Sequence, residues 1–296
     1  MKIVAVFAAF FLCRIIQYIF LKTTSGKIEG RTQLLGYTAF QYLVSAVLSV
    51  FLLTDQNSLF SVSPTGMAIS VLGGIAMFTS SLCSMTALKN GVQLVLTSLF
   101  SSMSILIPTV ASVFLFGEAM SIWQIAGVAA LLYAACLLLG ITGASCRNFS
   151  ARGLLLLLGL FLADGLTMLA QKCYPHYEPQ ADTAVYTFAS FGTAFVLTGL
   201  MAGTDMVRTK TPITRVLSKD ILIGGTVLAV MLFVIMYLGI VAVPLVSAVV
   251  LYSLVAGGTL IIAFLVGAIV FKEPVTRRNL VGLLIGIAAL VVINAF

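Results

Sequence analysis

Residues 116–127 read FGEAMSIWQIAG, and residues 271–282, which begin 155 positions later, read FKEPVTRRNLVG. Phenylalanine, glutamate and glycine coincide in the two copies, and an apolar segment follows each copy. Upstream, Ser98 and Ser253 are separated by the same interval. Chance similarity between apolar segments would match Leu and Ala easily, but it does not account for the F-x-E-x8-G coincidence. Self-similarity at a fixed spacing indicates a chain built from two related units.

The composition around these two copies is that of a membrane protein. Of the 296 residues, 61% are hydrophobic and 8% are charged, whereas soluble domains contain about 25% charged residues. So few charges cannot cover the surface of a water-soluble protein of this size. The longest polar interval, residues 204–220, is too short for a separate soluble domain. The chain is therefore predicted to be embedded in a membrane and to have short loops.

Ten apolar segments have about the 20 residues that a membrane-spanning helix requires. They are predicted at residues 3–21, 34–54, 66–87, 92–116, 121–141, 153–171, 183–203, 221–241, 245–270 and 279–296. The repeat divides them into two units of five helices, residues 1–145 and 146–296. Because five is an odd number, the second unit is inverted relative to the first. The predicted fold class is all-α, with ten transmembrane helices in two inverted five-helix repeats, an architecture typical of alternating-access carriers.

The basic residues indicate the orientation of the chain. Only Lys2 and Lys172 lie on the side of the even-numbered loops, and Arg14 lies inside a helix. The odd-numbered loops contain the other thirteen: Lys22, Lys27, Arg31, Lys89, Arg147, Arg152, Arg208, Lys210, Arg215, Lys219, Lys272, Arg277 and Arg278. The positive-inside rule then predicts a multi-pass protein of the inner (plasma) membrane with both termini on the external side.

Several function classes lack the residues that they require. The basic residues are dispersed among short loops rather than gathered on one face, so nucleic acid is not a predicted partner. The sequence contains no GxGxxG, Walker, HExxH or GxSxG motif, which argues against an enzyme or an ATP-driven pump. Five cysteines without a CxxC spacing and a single histidine, His176, do not form a metal-ligand set. No cofactor and no metal are predicted.

The repeated pattern resembles a known family. In each copy an apolar helix is followed by Gly117-Glu118 or Lys272-Glu273-Pro274 and then by a glycine-bearing helix. This pattern is similar to the EamA-type repeat of the drug/metabolite transporter superfamily. The resemblance covers essentially the whole chain in two copies, and ten helices are the number expected of that group. It implies a secondary carrier, often an exporter of amino acids, other metabolites or amphipathic toxic compounds. The first helix departs from the pattern, because it carries polar residues where the group is more apolar.

Two charged residues lie well inside the predicted helices, Arg14 and Asp164. A charged side chain at membrane depth costs about 2.5–3.5 kcal/mol on insertion scales, which makes both residues functional candidates. Arg14 lies eight residues before Lys22, and Asp164 lies eight residues before Lys172. Inverted repeats place such positions across a pseudo-two-fold axis, and we expect a facing pair that binds substrate charge or a coupling proton. In the structural alternatives, Arg14 extends to the interface or the pair locks two helices together.

Polar side chains near these charges complete the predicted site. Ser98, Ser101 and Ser102 share one face of a helix, where they either line a cavity or allow close packing. Tyr252 is a further candidate because it is next to Ser253, the repeat partner of Ser98. The predicted substrate-binding residues are Arg14, Gln17, Tyr18, Ser98, Ser101, Asp164, Tyr252 and Ser253.

Other positions have predicted structural roles. Pro108 and the pair Gly257-Gly258 fall in corresponding helices of the two units, where both are expected to weaken the helical backbone. Glu118 and Glu273 are expected to cap helix starts, where the helix dipole favours a carboxylate.

The predicted function is secondary transport of a small organic solute, of metabolite or amino-acid type, by alternating access and in the direction of efflux. A zwitterion would suit one charge of each sign. The alternatives are a multidrug or lipophilic-cation exporter and a membrane-embedded enzyme or lipid-handling protein. The expected partners are the solute and the lipid bilayer. Coupling to a proton, and a monomeric or homodimeric state, are left open.

Overall fold

The computed structural model describes residues 2–51, 62–116, 121–139, 150–178, 183–216, 218–242, 248–273 and 275–295, although not every side chain within them. In these ranges every regular element is a helix. The helices are α1 (Lys2–Lys27), α2 (Arg31–Val50), α3 (Pro64–Lys89), α4 (Leu94–Met103), α5 (Leu106–Phe116), α6 (Ile122–Leu139), α7 (Ala151–Tyr177), α8 (Thr183–Thr209), α9 (Ile213–Val216), α10 (Lys219–Ala242), α11 (Ala248–Leu265) and α12 (Arg277–Ala295). The predicted all-α class is confirmed.

The long helices have the length and composition of membrane spans. Among the described residues, five stretches are long and apolar enough to cross a membrane: Val6–Lys27, Arg31–Val50, Pro64–Lys89, Ala151–Tyr177 and Ala184–Thr209. Large apolar side chains cover their outer faces, such as Leu72, Leu162 and Leu200, each more than half exposed. Water would disfavour apolar surface of this extent, whereas a hydrocarbon environment accommodates it. The protein is therefore membrane-embedded.

The helices pack mainly in pairs. α3 lies against α7, α2 against α8, α1 against α10, and α6 against α12. α3 and α7 run antiparallel, because Gly66 of α3 is close to Glu178 after the end of α7, while Cys83 of α3 is close to Gly159 of α7. At the centre lies α4, whose residues 94–100 are all buried. Apolar side chains from α6, α7, α11 and α12 surround it.

The predicted helix 92–116 is broken where its proline requires it. α4 ends at Met103 and α5 begins at Leu106. Pro108 has no N–H group with which to bond the carbonyl oxygen of Ser104, four residues earlier. The amide of Ile107 donates to that oxygen instead, at 3.0 Å, which forms a tighter turn. The weakening expected at Pro108 is confirmed.

No interruption of the helix accompanies Gly257-Gly258. α11 runs without interruption through both glycines, and the irregularity occurs later, in a π-helical turn at Val266–Val270. A Cβ atom on Gly258 would lie 2.5 Å from the Phe11 ring of α1. Glycine is needed there because α1 approaches closely, and the close approach itself does not interrupt the backbone hydrogen bonds of α11.

Substitution of Gly74 should test how tightly α3 packs against α8. A Cβ atom there would lie 2.5 Å from the backbone oxygen of Ser190 and 2.7 Å from the Cβ atom of Thr193. We expect Gly74→Ala to lower the free energy of unfolding by about 1–3 kcal/mol, because a backbone oxygen cannot move aside. Thermal denaturation of the purified protein in detergent would measure the loss.

Gly192→Ala in α8 is the matched control, since a Cβ atom there meets no heavy atom within 4 Å. It should leave the free energy of unfolding unchanged or raise it by up to about 1 kcal/mol, the difference in helix propensity. Equal melting temperatures for the two variants would contradict the close α3–α8 contact.

Candidate functional site

A polar cavity of about 200 Å³ lies between α1, α2, α3, α4, α7 and α10. Its apolar walls are formed by Leu21, Met85, Leu160, Leu228 and Leu232. Its polar lining consists of Arg14, Gln17, Tyr18, Gln41, Ser80, Ser81, Ser84, Thr97, Ser98, Ser101 and Asp164. Polar groups at membrane depth are retained where they face each other or a water-filled space. This cavity is the candidate functional site.

Asp164 lies where α3, α4 and α7 meet. Its two carboxylate oxygens accept hydrogen bonds from Ser80 of α3 and Ser101 of α4. The neighbouring Gly165 allows this junction, because a Cβ atom there would overlap the side chain of Ile107 of α5. An ionised carboxylate has about four acceptor positions. Two serines therefore leave acceptor capacity for a cationic group or a donor in the cavity.

Arg14 of α1 presents the opposite charge to the same cavity. Its Nη1 atom donates to Oε1 of Gln17 at 2.9 Å, and its guanidinium carbon lies 5.3 Å from the centre of the Phe10 ring. Its Nε atom is buried and has no hydrogen-bond partner among the described residues. A buried donor without a partner is unfavourable. An acceptor group of a bound solute would satisfy it.

Arg14 and Asp164 line one cavity without contacting each other. Among the described side chains no ion pair within 4 Å joins Arg14 to Asp164, although the two charges are close enough to attract each other. The alternative in which the two charges lock α1 to α7 is therefore not supported. The link between α1 and α4 is instead a hydrogen bond of 3.1 Å between the hydroxyl groups of Tyr18 and Ser98.

The predicted site residues can now be placed. Arg14, Gln17, Tyr18, Ser98, Ser101 and Asp164 all line the cavity. The side chains of Tyr252 and Ser253 lie outside the part of the chain that the structure describes. The cavity is also lined by residues outside the predicted set, namely Gln41, Ser80, Ser81, Ser84 and Thr97. The available signal for Gln41 was an amide side chain within the apolar run of α2.

A second charged cluster joins α1 to the segment that follows α11. Lys22 and Glu273 form an ion pair, with 19% and 11% of their side chains exposed. Glu273 also accepts a hydrogen bond of 3.0 Å from the backbone amide of Leu94, at the start of α4. The Nζ atom of Lys22 lies 5.5 Å from the centre of the Phe271 ring. The expectation that Glu273 caps a helix start is therefore confirmed, and that helix is α4; Glu118 lies outside the described residues.

The described side chains contain no group of three or more His, Cys, Asp and Glu residues placed to hold a metal ion. Cys13, Cys83 and Cys173 are free thiols.

Comparison with known proteins informs the fold alone. No protein-family profile matches the sequence, and no curated protein matches it. A solved structure described only as "Crystal structure of protein" is similar to the chain, with a TM-score of 0.61 over 96% of each chain. The sequence identity is 13%, so the similarity concerns the fold and not the activity. The arrangement of helices over nearly the whole chain therefore has a counterpart among solved structures.

Proposed function

We propose that this chain is a secondary membrane transporter that moves a small organic solute through the polar cavity. The observation that carries the proposal is the presence of Arg14 and Asp164, opposite in sign and not paired, in one cavity of a membrane-embedded protein. Burying two charged groups at membrane depth costs free energy, so charged residues there are candidates for a functional role rather than for packing. Asp164 keeps acceptor capacity beyond its two serine partners, and the buried Nε atom of Arg14 has no hydrogen-bond partner among the described residues.

The proposal includes two inverted five-helix repeats, residues 1–145 and 146–296. In such a repeat α1, α2 and α3 correspond to α7, α8 and α10. A two-fold axis requires that each contact between the halves be matched by the contact between the corresponding helices of the other half. The contact of α3 with α7 is matched by that of α10 with α1. The contact of α3 with α8 is matched by that of α10 with α2. α2 packs on its own counterpart α8, as does α6 on α12. This pattern supports the inverted arrangement, which alternating access uses.

Pairs of glycines support the same correspondence. Gly74 in α3 lies against Ser190 of α8, and Gly225 in α10, 151 positions later, lies against Phe40 of α2. The two contacts are related by exchange of the halves. We also propose that the chain belongs to the EamA-type group of the drug/metabolite transporter superfamily, because it contains the repeated F-x-E-x8-G segment. We further propose that the protein lies in the inner (plasma) membrane with both termini on the external side, because of the distribution of its basic residues.

The cavity favours a small zwitterion over a drug-sized compound. Its volume is about 200 Å³, whereas pockets for drug-sized ligands occupy about 300–1,000 Å³. A positive guanidinium and a negative carboxylate on different helices match the two charges of an amino-acid-like metabolite. A site for lipophilic cations would be served by the carboxylate alone. The multidrug alternative is therefore less favoured.

A ligand panel should identify the solute class. We expect an amino-acid-sized zwitterion to raise the melting temperature of the purified protein, because a ligand that binds only the folded state stabilises it, by about 2.7 kcal/mol at 100 times Kd. The panel should include amino acids, nucleosides, sugars, polyamines and lipophilic cations. The compound that binds should then drive counterflow of its labelled form into preloaded proteoliposomes.

Protein-free liposomes provide the background for that assay. Binding without counterflow would contradict transport, and chemical conversion of the label would indicate an enzyme. A shift produced only by lipophilic cations would favour the multidrug alternative.

A further inference from the structure

A second, apolar cavity of about 430 Å³ lies between α3 and α7. Its floor is formed by the small buried residues Ala76, Ala163 and Ala170, and its walls include the exposed side chains of Leu72 and Leu166. It is therefore a groove on the surface of the helix pair, open to the hydrocarbon. Asp164 and Ser80 face the polar cavity, so the groove and the candidate site are separate. We call it the α3–α7 groove.

The position of the α3–α7 groove along the helices matches one leaflet of a bilayer. Its first lining residue, Ile69, is five residues after Pro64 at the start of α3, a distance of about 7.5 Å. The headgroup region on each side of a bilayer is about 5–8 Å thick. From Ile69 to Thr79 the groove extends about 15 Å, which is half of the ~30 Å hydrocarbon core. With Pro64 placed at the bilayer surface, the groove would begin where acyl chains begin and end near the bilayer midplane.

The lining of the groove suits a hydrocarbon chain, and the cavity of about 430 Å³ extends for about 15 Å along α3. The lining is apolar except for Thr79 and Cys173, as such a chain requires.

A lysine lies at the end of the groove near the helix terminus. Lys172 directly precedes the lining residue Cys173 and is exposed, while Glu178, further along the chain, accepts a hydrogen bond from Ser63. The long side chain of Lys172 can extend towards the headgroup region while its stem lies along the apolar surface. Its ammonium group attracts an anionic phosphate. The charge therefore complements a phospholipid headgroup at the end where the hydrocarbon chain would enter.

We propose that the α3–α7 groove binds one acyl chain of a phospholipid whose phosphate group lies near Lys172. The inference depends on the membrane location of the protein and not on its transport function. The residence time of a lipid in the groove would exceed that of a lipid at the rest of the protein surface. The reason is that the small residues of the floor allow the acyl chain to pack on α3 and α7 at once.

Quenching of tryptophan fluorescence by brominated lipid would test this proposal. The chain contains one tryptophan, the exposed Trp123, so Trp123→Phe provides a background without signal. Leu72→Trp places a reporter on the groove wall. Leu43→Trp on α2 is the control. Leu43 lies seven residues before Val50, the last residue of α2, and Leu72 lies eight residues after Pro64, the first residue of α3. Since α2 and α3 are consecutive, both reporters lie at similar depth in the same leaflet.

In vesicles of phosphatidylcholine with a small fraction of acyl-brominated phosphatidylglycerol, we expect at least about twofold greater quenching of Leu72→Trp than of Leu43→Trp, by mass action at a binding site. Thr79→Phe, which narrows the inner end, should reduce the excess, and Lys172→Gln should weaken it for the anionic lipid.

Three outcomes would overturn the proposal. Equal quenching at the two reporters would show ordinary bilayer contact. Quenching that appears only after the protein is diluted in lipid would indicate a second copy in the groove. An equal excess with a brominated diacylglycerol, which has neither a phosphate nor a charge, would show that the hydrocarbon binds without the headgroup.

Discussion

Asp164→Asn should lower the rate of solute counterflow by about 10- to 150-fold, the equivalent of the 1.5–3 kcal/mol carried by a hydrogen bond to a charged group. The carboxylate of Asp164 is held by Ser80 and Ser101 and has acceptor capacity directed to the cavity. Asparagine has the same shape but no charge, so a cationic group of the solute loses its partner. The amide can still bond both serines, and the melting temperature without ligand should change by only a few degrees. Counterflow in proteoliposomes and thermal denaturation would measure the two effects.

Asp205→Asn is the matched control. Asp205 also accepts a hydrogen bond from a hydroxyl group, that of Thr32 at 2.5 Å, but it lies near the end of α8 and does not line the cavity. Counterflow by Asp205→Asn should remain close to that of the wild type. A wild-type rate for Asp164→Asn, or equal losses for both variants, would remove Asp164 from the proposed mechanism.

Glu273→Ala should destabilise the protein by about 3 kcal/mol, at the lower end of the cost of breaking a buried ion pair because both side chains retain some exposure. The substitution leaves the ammonium group of Lys22 mostly buried without its carboxylate. It also removes the acceptor for the amide of Leu94 at the start of α4, where a negative charge is favourable. Unfolding of the purified protein in detergent, followed by circular dichroism, would measure the loss.

A double-mutant cycle would isolate the interaction between Lys22 and Glu273. Lys22→Met with Glu273→Gln should cost less than the sum of the single substitutions, with a coupling energy of about 0.5–3 kcal/mol. Glu29→Ala, an exposed carboxylate between α1 and α2, should lie within about 0.5 kcal/mol of the wild type. Additive effects in the cycle would mean that the two charges do not stabilise each other.

The helical, membrane-embedded character followed from the sequence because it depends on local properties. Apolar runs of about 20 residues with few charges are visible one segment at a time. The break before Pro108 was equally local, since proline removes a hydrogen bond within its own helix. Arg14 and Asp164 were found because a charge in an apolar run is conspicuous. The two five-helix units and their boundary remain predictions, which the exchanged helix contacts support.

What the sequence could not provide was the set of contacts between distant segments. It predicted that Arg14 and Asp164 would face each other, and both line one cavity, but it did not identify the hydrogen-bond partners of Asp164, which are serines 84 and 63 positions away. Glu273 was expected to cap a helix start, but the sequence did not indicate that this helix would be α4, whose first residue lies 179 positions earlier in the chain. The close approach of Phe11 to Gly258 was likewise not predictable from the glycine pair.

The sequence by itself determined a helical membrane protein with a repeated motif, few charges and two of those charges at membrane depth. The tertiary structure alone decided that these two charges share a cavity without pairing, and that small residues of α3 and α7 leave a groove on the outer face. The physical reason is the range of the interactions. Hydrophobicity and helix periodicity act within one segment, whereas a side chain chooses its hydrogen-bond partner among all groups that packing brings within about 3 Å.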